Sequence, residues 1–238
     1  MSQTRPNALK VWLRKRLKPR FITLHDVKIA TGPDDLTKDI RKAIYAESYE
    51  ASEARLVRRN LREDDRVLEL GGGVGFVSLL CAKICGANNL TTYEPNPTAV
   101  AMIERNFALN GLSPNVHQAA AALEDGKTEF FMNDNVFSSS LLDRKNEAKP
   151  TPVTTCDIRR LVKEHSPSVV VMDIEGAETD ILPHAASASV RAMLVELHPH
   201  IVGQASIDTL VKQMEDVGYR ITDRADDKVV LFERRSTA

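Results

Sequence analysis

Long apolar runs are missing from this chain of 238 residues, which contains neither the ~18 consecutive apolar residues of a membrane-spanning helix nor a secretory h-region. Cysteine is scarce. The three present, Cys81, Cys85 and Cys156, form an odd set without zinc-ribbon spacing, which argues against a disulfide scaffold. Cys81 and Cys85 stand four apart on a predicted helix, but no Cys or His partners lie nearby to complete a tetrahedron. They are read as small core residues, and no metal site is expected. Net charge is nearly absent as well. The 32 Lys and Arg against 33 Asp and Glu leave a formal charge of -1, so nothing draws the whole molecule to nucleic acid, and no nucleic-acid partner is expected. These absences make a reducing, cytoplasmic setting the default. A hydrophobic content of 42% is enough for one sizeable α/β domain with decoration, but not for two full domains.

Charge of one sign does accumulate in one place. Residues 5–20 carry Arg5, Lys10, Arg14, Lys15, Arg16, Lys18 and Arg20 with no acid, while Leu9, Trp12, Leu13 and Leu17 fall near one helical face. Such a basic amphipathic helix can lie on an anionic membrane surface or hold an acidic partner, and the more common alternative is that it packs its apolar stripe on the domain and solvates its charges. Residues 21–30 read as a strand, followed by a turn cluster at residues 31–35. We divide the chain into a basic N-terminal extension, residues 1–44, and a main domain, residues 45–238.

The main domain is organised around residues 67–76, where an apolar strand ends in Glu69-Leu70, runs into Gly71, Gly73 and Gly75, and gives way to a helix marked by Val77, Leu80, Cys81 and Ile84. Glycines there let the backbone pass close under a ligand and present the first N–H groups of the helix. The spacing is G-x-G-x-G, not the G-x-G-x-x-G of dinucleotide folds, and Glu69 would oppose a pyrophosphate. S-adenosylmethionine (SAM), with a cationic sulfonium and an ammonium, suits a carboxylate at this place.

A second strand, residues 90–94, ends in Glu94 about twenty residues beyond the glycines, where an acid can accept hydrogen bonds from ribose hydroxyls. Residues 116–123 are a third strand, with small residues that would leave room beside an adenine. Residues 128–132 and 153–157 read as strands of an insertion, joined by a polar loop containing Ser139 and Ser140. Residues 169–178 repeat the pattern of apolar strand, acid and helix start, so Asp173 and Glu175 should face the same crevice as Glu69 and Glu94. A fifth strand over residues 193–200 leads to a helix with Ser206 as its candidate cap. Just as Ser52 is the candidate cap of the helix before residue 67, residues 219–222 and 229–232 are the candidate terminal hairpin.

The order Tyr49-Glu50, Leu68-Glu69-Leu70-Gly71, Tyr93-Glu94-Pro95-Asn96-Pro97, the serine cluster, Val153-Thr154-Thr155, Asp173-Ile174-Glu175-Gly176-Ala177-Glu178 and Val195-Glu196-Leu197-His198-Pro199 resembles the FkbM family of SAM-dependent methyltransferases over about residues 45–220. The glycines at 71–73 depart from it, since relatives more often read Gly-Ala-Asn. The resemblance implies a class I methyltransferase (Rossmann-like) α/β fold: a parallel sheet with a reversed last strand and helices on both faces, here with an N-terminal helical extension and a β insertion. It also implies O-methylation of a hydroxyl on a sugar or other small-molecule acceptor. On this reading Glu69, Gly71 and Gly73 line the methionine end of SAM, Glu94 holds the ribose, Ala120 and Ala121 lie near the adenine, and Asp173 sits at the inner end of the pocket. Tyr49, Glu50, Ser139, Ser140 and Glu196 are the candidate acceptor contacts.

A hydroxyl acceptor must lose its proton. His198, Asp173, Glu175, Glu178 and Glu196 are the candidate bases, with Asp173 and His198 preferred. For Glu175 and Glu178 the competing role is compensation of a helix dipole. Two other classes stay open: a nicotinamide-dependent oxidoreductase using the same turn, and a SAM-binding or membrane-docking protein without turnover.

Overall fold

The computed structural model describes residues 8–32, 36–132 and 149–235. Helix α1 (Ala8–Leu17) has no buried residue. Strands β1 (Phe21–Leu24) and β2 (Val27–Ala30) then pair antiparallel, so the single strand expected over residues 21–30 is a hairpin. His25 and Asp26 supply the positive φ, 45° and 67°, that a two-residue primed turn requires, without the Asn-Gly signature that announces one. Helices α2 (Lys38–Tyr45) and α3 (Ala51–Asn60) flank the expected interruption at Tyr49 and Glu50. Ser52 does not cap α3. Glu50 occupies the N-cap with φ 45°, and the Ser52 hydroxyl donates to Asp226 at 2.5 Å.

The next elements are β3 (Val67–Leu70), α4 (Phe76–Cys85), β4 (Leu90–Tyr93), α5 (Pro97–Leu109) and a two-residue β5 (Val116–His117). Pro97 opens α5, and Asn96 caps it by accepting the N–H of Thr98. The third strand expected over residues 116–123 is split: the chain turns after His117, and β6 (Ala120–Ala122) joins a separate sheet. That sheet, ordered β6-β8-β7, is the insertion, with β7 (Gly126–Met132) antiparallel to β8 (Lys149–Asp157). Helix α6 (Ile158–His165), β9 (Val169–Met172), α7 (Glu178–Ile181) and β10 (Ala192–Glu196) come next. The fifth strand therefore stops at Glu196, because Pro199 opens the short α8 (Pro199–Val202). Helix α9 (Gln204–Asp216) begins after Gly203, and Ser206 lies inside it, donating to the Val202 carbonyl. The terminal hairpin is β11 (Tyr219–Arg224) with β12 (Val229–Arg234).

The main sheet runs β11-β12-β10-β9-β3-β4-β5, and β12 is antiparallel to both its neighbours while the pairs from β10 to β5 are parallel. Strands β3, β4 and β9 are buried at every position, as parallel strands covered on both faces must be. One face packs on α3, α4, α5 and the β1–β2 hairpin, the other on α6, α7 and α9. Strand order reverses between β3 and β9, and a crevice at the carboxyl ends of these strands is where ligands bind in such sheets.

Asn106 of α5 ties the hairpin to this crevice. Wholly buried, it accepts the N–H of Ala30 and donates to the carbonyl of Val74, both at 2.8 Å. The edge of β2 is also closed by Asn110, which pairs with the N–H and carbonyl of Lys28 at 2.8 Å.

Candidate active site

The glycines after β3 are forced first by packing. At Gly71, φ 85°, a Cβ would stand 1.8 Å from the backbone carbonyl oxygen of Asp173, so β3 and β9 can exit side by side only with glycine here. At Gly73 a Cβ would instead meet Tyr49 and Glu50 side-chain oxygens at 3.4 Å, which puts this glycine against the candidate acceptor residues.

Glu94 closes the turn from the β4 side. Its carboxylate accepts the N–H groups of Gly72 at 3.0 Å, Gly73 at 3.1 Å and Asn96 at 2.9 Å. Burial raises its pKa to about 7 against the pull of those bonds. Glu69 lies deeper, 1% exposed, and accepts the hydroxyls of Ser78 at 2.5 Å and Thr92 at 2.7 Å. It joins α4 and β4 beneath the turn, and burial pushes its pKa to about 7. Ala120 and Ala121 are buried in the small sheet, in register with Thr155 and Cys156. Ser139 and Ser140 lie outside the described residues.

The exits of β9 and β10 bring together the other predicted residues. Asp173 donates its N–H to the Leu70 carbonyl, which fixes it beside the glycine turn. Its Oδ1 is shut off from solvent and has no hydrogen-bond donor among the described residues. Burial, then the charges of Glu196, Glu175, Glu50 and Glu53, raise its pKa well above the usual range. His198, 3% exposed, stands with Nε2 3.6 Å from Asp173, 3.6 Å from Glu175 and 3.9 Å from Glu196. Its ring is set by Glu178, whose Oε1 lies 2.8 Å from the His198 N–H and 3.2 Å from Nδ1. Glu178 Oε2 accepts the N–H of Gly176, so this wholly buried acid positions its neighbours. Burial would lower the His198 pKa, but Glu178, Glu175 and Glu196 outweigh it and raise it.

Two residues missed in the sequence complete the site. Glu53, in the first turn of α3, faces Glu196, and burial lifts its pKa to about 7. Asn106, described above, holds the segment after the glycines. Glu53 sits in the first turn of an ordinary amphipathic helix, so only its spacing from Glu50 hinted at a role. A cavity of about 500 Å³ opens here, lined by Glu50, Glu53, Glu196, Asp226 and Asp227 with Lys228 as a basic counterpart. Glu50 and Glu175 both hold positive φ, 45° and 53°, a conformation that costs about 1–3 kcal/mol for a residue with a side chain. Carboxylates are thus kept at two crevice positions where glycine would be easier. Such a donor set, with an unpaired buried oxygen on Asp173, fits the sulfonium and ammonium of SAM.

A family model for the TRM5/TYW2 methyltransferase domain matches residues 35–141, under half of the chain. A ribosomal protein L11 methyltransferase from Streptococcus equi subsp. zooepidemicus is 28% identical over 138 residues, 58% of this chain and 40% of that protein. The protein-lysine N-methyltransferase EFM3 of Chaetomium thermophilum is 38% identical over 56 residues, 24% of this chain and 17% of that protein. The chain thus spans less than half the length of these curated relatives. Among solved structures, a candidate transferase from Pyrococcus horikoshii superposes with a TM-score of 0.50 at 12% identity, covering 89% of this chain and 68% of that one.

Proposed function

We propose that this chain, a class I methyltransferase domain whose cofactor is SAM, transfers a methyl group to a hydroxyl of a sugar-like or other small acceptor bound in the acidic crevice. The observation that carries the reading is Asp173 Oδ1, buried and without a donor between the glycine turn and His198. When bound, the cofactor supplies a methyl group already activated by its cationic sulfur. What remains for the protein is alignment and proton removal. Glu94 and the turn N–H groups it organises would hold the ribose side, and Asp173 the methionine side. Glu69 supports the turn from below through Ser78 and Thr92. His198, oriented by Glu178, or Asp173 would take the acceptor's proton, with Tyr49, Glu50 and Glu196 around the acceptor. The finer likeness to the FkbM family rests on its motif order.

An amine acceptor is the second reading, favoured by the excess of carboxylates over Lys228 in the cavity wall. It also accords with the protein substrates named for the two relatives. The same wall would repel a phosphate backbone. Release of S-adenosylhomocysteine from SAM should be measured with two panels, hydroxylated sugars and lysine-bearing peptides. Turnover with sugars supports the first reading and turnover with peptides the second. A protein that binds SAM and turns over with neither panel sinks the assignment of an enzyme for these acceptors.

The basic extension supports a peripheral contact with an anionic membrane. No helix among the described residues is long and apolar enough to cross a membrane. Yet Leu9, Trp12, Leu13 and Leu17 of α1 are 64%, 55%, 40% and 72% exposed, so the stripe does not pack on the domain. Apolar residues flanked by Lys15, Arg16, Lys18 and Arg20 suit a surface of anionic lipid.

A further inference from the structure

Four ligand-type side chains converge where a methyl transfer needs at most one base. Asp173, Glu196 and His198 each turn a ligand atom toward a common point, and these atoms all lie within 4.8 Å of one another. Two ligands about 2.1 Å from a tetrahedral ion stand about 3.4 Å apart. The separations of 3.6 Å from His198 Nε2 to Asp173 and 3.9 Å to Glu196 need to contract by only a few tenths of an ångström. Glu175 Oε2, also 3.6 Å from Nε2, is close enough to be a fourth ligand.

Two observations beyond the acid content point to an ion. The His198 side chain is only 4% exposed, and its hydrogen bonds go to Glu178 through N–H and Nδ1, which leaves Nε2 facing the carboxylates without a hydrogen bond among the described residues. A buried carboxylate that holds one ring nitrogen while the other faces further carboxylates is the arrangement that orients a metal-binding histidine, and here Glu196 is itself hydrogen-bonded to Glu53. Second, Asp173 Oδ1 is buried toward the same point and has no donor. One imidazole among carboxylates suits a divalent ion that accepts mixed nitrogen and oxygen ligands, such as Zn²⁺ or Mn²⁺, better than Ca²⁺ or a soft ion.

We propose that Asp173, Glu196 and His198, with Glu175 alongside, bind a divalent metal ion. Its coordination stands independently of the reaction. Its catalytic consequence rests on the methyl-transfer reading: an ion there would bind the acceptor oxygen and lower its pKa, sparing the site a strong base.

Tag-free protein, stripped with chelator and exchanged into buffer, should be titrated with Mn²⁺ under electron paramagnetic resonance, and with Zn²⁺ in competition. One saturable site per chain is expected, with an imidazole nitrogen coupling that His198→Gln removes. Glu196→Gln and Asp173→Asn should each weaken binding at least tenfold in protein that is folded by circular dichroism, and Glu124→Gln should not. Absence of saturable Mn²⁺ or Zn²⁺ binding to the folded wild-type chain would overturn the proposal, as would a site indifferent to both carboxylate changes or lacking nitrogen coupling. SAM binding measured on the same samples separates the two ideas. SAM bound without metal removes only the metal site, whereas metal bound without SAM upholds it and removes the methyltransferase reading.

Discussion

The crevice between β3 and β9 and the helix α1 are opposite in nearly every respect. In the crevice, Glu53, Glu69 and Glu94 are buried and pushed to a pKa of about 7, and Asp173 too is raised well above the usual carboxylate range. Along α1, basic and apolar side chains share an exposed surface with no buried residue. A formal charge of -1 conceals both. What the contrast teaches is that buried charge here is costly and fixed by named partners, while exposed charge is cheap and acts by accumulation. The regions are joined at residues 46–50. Lys10 and Arg14 of α1 pair with Glu47, and Arg14 donates to the Tyr45 carbonyl at 2.8 Å, just before Tyr49 and Glu50 enter the crevice.

The largest expected effect breaks the crevice alone. Gly71→Val puts a side chain into the Asp173 carbonyl and should cost more than about 4 kcal/mol by chemical denaturation, enough to prevent folding. A folded variant with near-normal stability would show that β3 and β9 do not approach as described. Next is pH. Glu53, Glu69 and Glu94 have folded pKa values of about 7, above their ordinary 4.5, so their protonated forms favour the fold. Their contribution is complete below about pH 4.5 and is lost as pH rises through 7. His198, also raised, acts in the same direction. His25 and His165, whose pKa values burial lowers, act in the opposite direction, but the buried acids and His198 outnumber them, so the melting temperature of the protein without ligand should fall between pH 5.5 and 8, and a rising profile would contradict the burial of these acids.

Reversing the charge at the end of α1 and just beyond it, with Lys15→Glu, Arg16→Glu and Lys18→Glu together, should weaken partition onto anionic vesicles by about 3 kcal/mol, roughly 1 kcal/mol per residue removed from the basic set. SAM affinity should stay unchanged, and retained vesicle binding would remove the membrane role. Asp173→Asn should lower turnover about a hundredfold, or 2.7 kcal/mol, while leaving vesicle binding alone. The smallest effect belongs to the junction. Glu47→Gln removes a half-exposed ion pair and should cost less than about 1 kcal/mol of stability. A larger loss, or a change in KM, would mean that α1 governs the crevice.

Much of the fold was legible because period and punctuation agree: β9 is an unbroken apolar run followed by Asp173, β3 and β4 are short buried strands with Glu69 and Glu94 at their exits, and the helices carry apolar stripes. The errors fall where local signals are weak. His25-Asp26 makes a primed turn without glycine, and β5 pairs through only two residues before leaving the sheet. At the site, strand exits predicted Asp173, Glu175, Glu196 and His198 together, because topology sends every parallel strand's end to one edge. Sequence could not assign their division of labour. Glu178 is wholly buried and bonds Gly176 and His198 while Glu175 is partly exposed beside the same histidine, and Glu69 turns out to bind Ser78 and Thr92, contacts made across three elements. Asn106 joins residues 30 and 74, a pairing invisible in any linear pattern.

The most direct measurement is calorimetric titration of SAM, with NAD as the comparison, into the wild-type chain and into Glu94→Gln and Asp173→Asn. Glutamine is preferred to alanine at position 94, since it keeps an acceptor for the N–H groups of Gly72, Gly73 and Asn96. The account predicts one SAM per chain, no NAD binding, and at least about tenfold weaker SAM binding, or 1.4 kcal/mol, in each folded variant. NAD binding in place of SAM, or SAM affinity unchanged in both variants, would contradict it.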